Sequence, residues 1–165
     1  MNLRLSFVTL AAAAAPALFG QTATTPPYTI RVAQGATVST VTDGASINFA
    51  GVDYQQFGAP YLAGAEKLIA PGQVNVMLSH NPDVFPVAAR QGYDLTLAGH
   101  THGGQVNFEI LHQNVNVALA FTPFVRGIYQ RGTASAYVSS GIGTIGVPVR
   151  VGAPAEVSLI ELCAS

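Results

Sequence analysis

Apolar and polar positions alternate along this chain in short runs, broken repeatedly by Gly, Pro and Asn. Thr37 to Val41 and Ser46 to Val52 read as strands, with Asp43-Gly44 as the turn between them, and Tyr28 to Val32 is a further short β-rich run. Tyr61 to Ala70 places Leu62, Ala65, Glu66 and Ile69 at helical spacing and is closed by Pro71-Gly72, which predicts a helix. Val74 to Ser79 is an apolar strand of buried type. Asp83 to Gln91 follows as a helix, with Asp83 as N-cap, Pro86 in the first turn and Gly92 at its end. Asp94 to Ala98 is a second apolar strand. Two such strands joined by a short helix form a βαβ unit, which favours a parallel pair with a right-handed crossover. Beyond His102 the pattern is β-rich: Gln105 to Ile110, Arg126 to Gln130, Ala134 to Ser139 and Glu156 to Cys163. No internal repeat occurs. The fold class is α/β of the mixed (α+β) kind, with a β-heavy C-terminal half.

Composition narrows this picture. The 165 residues make one domain's worth of chain, and 49% hydrophobic with 9% charged residues is a globular balance. Seven Lys and Arg against eight Asp and Glu, with the basic residues scattered singly, exclude a phosphate-binding surface and with it nucleic acid as a partner. Cys163 is the only cysteine, so CxxC redox chemistry and Cys-rich zinc sites are excluded. Met1 to Arg4 and the uncharged run Leu5 to Phe19 resemble the two regions of a secretory leader, so residues 1–20 read as a signal peptide or simply as an apolar leader. Such a leader implies export to a bacterial periplasm or membrane association; without it the chain is cytoplasmic. Residues 21–27, Thr-rich and ending in a Pro pair, read as a linker, and residues 28–165 as the domain.

Chemistry concentrates at three of the four histidines. His80 follows the first strand of the βαβ unit and His100 the second, so both emerge at the C-terminal edge of a parallel pair, where open α/β sheets place their sites. His102 lies two residues on, and an extended backbone there aims both rings to one side. Three imidazoles suit a borderline divalent ion such as Zn, Fe or Mn. Gly99, Gly103 and Gly104 allow a sharp turn and close backbone approach. His112, in a polar stretch, is assigned no role. Gly141-Ile142-Gly143-Thr144-Ile145-Gly146 fits a dinucleotide fingerprint literally, but Pro148 prevents the helix that such a motif requires, so it reads as a connecting loop. A cupin also uses His-x-His followed by Glu. Here Glu109 lies too far on, and the βαβ run argues against a pure β-barrel.

Three segments carry a family resemblance. Leu78-Ser79-His80-Asn81-Pro82-Asp83, Gly92-Tyr93-Asp94-Leu95 and Ala98-Gly99-His100-Thr101-His102-Gly103-Gly104-Gln105 resemble the last two metal-ligand blocks of the calcineurin-like metallophosphoesterases, especially the bacterial membrane-associated or exported branch. Tyr137 to Thr144, Pro148-Val149-Arg150 and Pro154-Ala155-Glu156 are similar to that branch's closing segment, and Phe49 to Asp53 to an earlier strand. The resemblance covers roughly residues 45 to 163 and implies the C-terminal half of that family's sandwich, a mixed β-sheet with flanking helices. It implies a hydrolase that cleaves a small phosphoester with a metal-bound hydroxide, using two divalent ions (Mn, Fe or Zn) in the complete site. By resemblance His80 and His100 ligate one ion and His102 the other. Asn81 and Arg150 are the weaker, substrate-binding candidates. Asp53 and Asp94 read as turn or strand-end residues.

The family's remaining chemistry is missing. No Asp-x-His, Gly-Asp or Gly-Asn-His occurs anywhere in the chain, so neither the bridging carboxylate nor the general acid is present. Two close divalent ions without a bridging carboxylate repel strongly. One ion or none is therefore expected, with no catalytic residue assigned and a weakly active or inactive fragment as the outcome. Ser140 stands where the family commonly has Arg, and Ala155 where it commonly has Pro. A half-sandwich should expose strand edges and apolar faces, which favours self-association. The rival from another class is an exported β-rich binding or structural protein with a vestigial metal site.

Overall fold

The computed structural model describes residues 4–11, 37–42, 45–56, 59–110 and 113–163. Its centre is a six-stranded mixed sheet in the order β2-β3-β4-β5-β9-β8, built from β2 (Thr37–Thr42), β3 (Ala45–Gly51), β4 (Val74–Leu78), β5 (Leu95–Ala98), β8 (Gly127–Arg131) and β9 (Ala134–Val138). β3, β4, β5 and β9 run parallel, and β2 and β8 are antiparallel edges. β6 (Asn107–Ile110) and β7 (Gln113–Asn116) form a separate hairpin, and β1 (Arg4–Ala11) pairs antiparallel with β10 (Glu156–Cys163). Of the expected leader, Arg4 to Ala11 form β1, and residues 12–20 lie outside the described residues. The linker 21–27, the run 28–32, the Asp43-Gly44 turn and His112 lie outside the described residues.

The βαβ unit forms as the pattern implies. Helix α1 (Phe85–Gln91) ends at Gly92, whose φ of +104° suits a residue without a Cβ, and delivers the chain to β5. Its start differs from expectation. A 3-10 turn over Pro82–Val84 precedes it, and Asp83 caps nothing. Asn81 is extended, as the residue before a proline tends to be, so the turn begins at Pro82 instead.

The predicted helix over Tyr61 to Ala70 is not one. Only Ala65–Leu68 makes a 3-10 turn, between Leu62 at φ +55° and the loop after Ile69. Its backbone groups are taken by side chains from elsewhere. Leu62 N–H donates to Gln55 Oε1 (2.9 Å), and Leu62 C=O accepts from Gln91 Nε2 (2.9 Å). Ala65 C=O accepts from the Tyr93 hydroxyl (2.7 Å), Leu68 C=O from Asn48 Nδ2 (2.8 Å), and Asn75 brackets Ala70 N–H (2.8 Å) and C=O (3.1 Å). Leu62 C=O, Ala65 C=O and Ala70 N–H are groups that a helix over this segment would have paired within itself, and here side chains outside the segment bond them.

The core packs that segment and α1 onto one face of the sheet. Ala50, Leu62, Ala65, Met77, Val84, Ala88 and Tyr93 form one buried cluster, while Phe85 meets Ala134 and Ala136 of β9 beside Phe124. All five residues of β9 are buried, so its other face is covered too. There Tyr137 reaches β10, its hydroxyl 2.6 Å from both Glu156 and Ser158.

Candidate functional site

Strands β4 and β5 are neighbours in the register Leu78↔Leu97, so the segments leaving their C-terminal ends emerge side by side. The ladder continues past both strands. Ser79 N–H donates to Leu97 C=O (3.1 Å), and Gly99 N–H donates to His80 C=O (3.3 Å). The two rings are thereby brought together: His100 Nδ1 lies 2.8 Å from His80 Nε2, with ring centroids 4.6 Å apart. At that distance one nitrogen donates and the other accepts, which requires at least one neutral ring. Desolvation lowers the His100 pKa, with His80 and then His102 adding to it against the opposing pull of Asp83.

Tyr54 stands beside both rings, its centroid 5.8 Å from His80 and 6.2 Å from His100. It follows β3, the next parallel strand, and so belongs to the same sheet edge. Sequence reasoning passed over it; the signal was its place directly after the Phe49 to Asp53 segment.

His102 is presented differently from the extended geometry expected of it. His100 (φ +72°) and His102 (φ +51°) are both left-handed, with Thr101 helical between them. Hydrogen bonds hold this tight turn: Thr101 N–H to Gly99 C=O (2.9 Å), Gly104 N–H to Thr101 C=O (2.8 Å) and the Thr101 hydroxyl to Val125 C=O. His102 Nδ1 lies 3.1 Å from the carbonyl oxygen of Gly143. Gly103 and Gly104 are both at positive φ. A Cβ on Gly103 would lie 2.5 Å from Ser140 Oγ, and one on Gly104 2.5 Å from Asn107 Oδ1.

The remaining candidates are occupied structurally. Asn81 is buried, and its Oδ1 accepts from Gln55 N–H (3.1 Å). Arg150 donates to backbone carbonyls of its own loop and of His102. Asp94 accepts from Asn75 N–H (2.8 Å) at a strand end, as anticipated. Ser140 is buried against the Gly103 turn, its N–H donated to Glu156 Oε1 (3.1 Å). The 141–150 loop leads into no helix, in keeping with a connecting role. A cavity of ≈ 510 Å³ lies at the end of β3, lined by Val52, Asp53, Leu62 and Leu68 among others; none of the three histidines lines it.

The donor set decides what this edge can hold. Among the described residues, no group of three or more His, Cys, Asp or Glu side chains converges to hold a metal ion. His80 and His100 suit one borderline ion as two of its ligands. They do not fit a two-ion centre, which needs more donors and a carboxylate between the ions.

Known proteins match most of this chain's length. The uncharacterised protein YpbG of Bacillus subtilis is 33% identical over 123 residues, covering 73% of this chain and 44% of that protein. An uncharacterised metallophosphoesterase of Helicobacter pylori strain J99 is 37% identical over 124 residues, covering 70% and 32%. The phosphodiesterase YaeI of Escherichia coli is 32% identical over 92 residues, covering 53% and 32%. The chain belongs to the calcineurin-like metallophosphoesterases. No family model and no solved structure matches it. This metallophosphoesterase chain spans less than half the length of the curated relatives it matches. Among its described residues, no helix is long and apolar enough to cross a membrane.

Proposed function

We propose that this chain carries the histidine edge of a metal-dependent phosphoesterase acting on a small phosphoester. The observation that carries this reading is the His80–His100 pair, held 2.8 Å apart at the C-terminal ends of adjacent parallel strands in a chain similar to named metallophosphoesterases. A bound divalent ion would act there as a Lewis acid toward a phosphoryl oxygen. The described residues supply the rest of the edge: a tight turn that fixes His102, and Tyr54 beside both rings. They supply neither a bridging carboxylate nor a general acid, so the isolated chain is weakly active or inactive.

Purified chain titrated with Mn²⁺ and Zn²⁺ by calorimetry, then assayed on an aryl phosphate monoester and diester, tests this. One bound ion, lost in His80→Ala, with little turnover is the expected result. Two bound ions with brisk turnover overturn the incomplete-centre reading. Binding that is absent, or indifferent to His80 and His100, overturns the metal reading and leaves a β-rich binding or structural protein with a vestigial site.

A further inference from the structure

We propose that Arg150 is a positioning residue for His102, acting through the carbonyl of Gly143. That carbonyl oxygen accepts from Arg150 Nε at 3.0 Å and from Arg150 Nη2, and it lies 3.1 Å from His102 Nδ1. The rest of the guanidinium is spread over the same loop. Nη2 also donates to Ser140 C=O (2.8 Å) and Gly141 C=O (3.1 Å), while Nη1 donates to Ala153 C=O (3.1 Å), Pro154 C=O (3.3 Å) and His102's own C=O (3.4 Å). A planar fork with five N–H donors suits this task, and a lysine does not.

The consequence for His102 follows from hydrogen-bond chemistry. A carbonyl only accepts, so Nδ1 must carry the proton when it bonds to Gly143. The neutral ring is then the Nδ1–H tautomer, and Nε2 keeps its lone pair. An unrestrained imidazole in water favours the opposite tautomer. The loop is fixed from a second side as well: Gln105 donates to Ile145 C=O (2.9 Å) and Val147 C=O (3.0 Å) and accepts from Ile145 N–H (2.6 Å). Gln105 holds the outer part of the loop, and Arg150 holds the carbonyl that faces the histidine. Arg150 thus shapes the site from behind, which differs from the substrate-phosphate contact expected of it.

This inference rests on reading His102 as a site residue, but its test uses no turnover, so failure of the phosphoesterase reading would leave it standing. The measurement is long-range ¹H–¹⁵N correlation of the histidine side chains in the ¹⁵N-labelled chain, at a pH well above the ordinary histidine range. In the wild type His102 should show the Nδ1–H pattern; an Nε2–H pattern overturns the proposal without recourse to any variant. In Arg150→Ala, with the backbone amide spectrum still dispersed, the Nδ1–H pattern should be lost from His102 while the His80 and His100 signals stay in place. Retention of that pattern in the folded variant overturns it. Arg150→Lys keeps the charge without the fork and serves if the alanine variant does not fold. It should show a mixed tautomer, and full wild-type behaviour there overturns the role given to the guanidinium.

Discussion

His100 Nδ1 and His80 Nε2 face each other at 2.8 Å across the ends of two parallel strands. The contact follows from register: β4 and β5 are paired Leu78↔Leu97, and both chains leave the sheet through one further backbone bond each. Neither ring could be placed by its own loop alone. If the pair is a two-donor metal site, its members act as a unit. His80→Ala and His100→Ala should each weaken Zn²⁺ binding at least ~10-fold, the low end of what loss of even an outer partner costs. The double substitution should add little beyond either single one. Calorimetric titration of the three variants checks this; additive losses would show that the rings act separately.

Much of that edge was readable in the residues. A short helix between two apolar runs implies parallel strands, and parallel strands put His80 and His100 at a common edge. The turn after them was readable only in part. Gly99, Gly103 and Gly104 signal a sharp bend, but an extended path between His100 and His102 failed because the two histidines themselves adopt positive φ. Tyr61 to Ala70 failed for a different reason. Its helical spacing is real, yet its backbone groups are claimed by side chains outside the segment, those of Gln55, Gln91, Tyr93, Asn48 and Asn75. Periodicity reports which face is buried and is silent about who satisfies the backbone.

Asn75 carries that network, and its loss should be costly. Its side chain accepts from Ala70 N–H and Asn48 Nδ2, both at 2.8 Å, and donates to Ala70 C=O (3.1 Å) and Gln73 C=O (3.0 Å). Asn75→Ala takes the Asn75 bond from Ala70 N–H and Gln73 C=O, both half-buried, and removes one of two partners from Asn48 Nδ2 and Ala70 C=O. The cost is about 1–3 kcal/mol for each group that is left unpaired and that water does not reach. A loss of roughly 3 kcal/mol in urea unfolding is expected. Tyr93→Phe, which removes only the bond to Ala65 C=O, should cost about 1 kcal/mol.

Gly103 answers to both backbone and space. At φ +64°, with Ser140 Oγ where a Cβ would need to sit, Gly103→Ala meets strain and a clash together. The left-handed conformation alone costs of order 1–3 kcal/mol for a residue with a side chain. Thermal unfolding should show that loss. Pairing the change with Ser140→Gly should recover only the part due to the clash, because the backbone conformation is unchanged.

Glu156 gives the fold a dependence on acid. Burial alone would raise its pKa. Bonds from the Tyr137 hydroxyl (2.6 Å), Ser140 N–H (3.1 Å) and Ser158 Oγ (3.2 Å), together with Ser139, outweigh burial and hold the carboxyl below its ordinary value. A group depressed in the folded state stabilises fully above its unfolded value, and that contribution is lost as pH falls through the folded one. Unfolding temperature should therefore drop as pH is lowered from the ordinary glutamate range, roughly 4.3. Glu156→Gln keeps an acceptor for Tyr137 and Ser140 but cannot titrate, so it should start less stable at neutral pH and lose less in acid. Parallel curves for wild type and variant would mean that the acid sensitivity lies elsewhere. Since Glu156 holds the Ser140 N–H and Arg150 the Ser140 C=O, the wild type should also loosen the 140–150 loop in acid, seen as faster amide exchange there than in the βαβ unit.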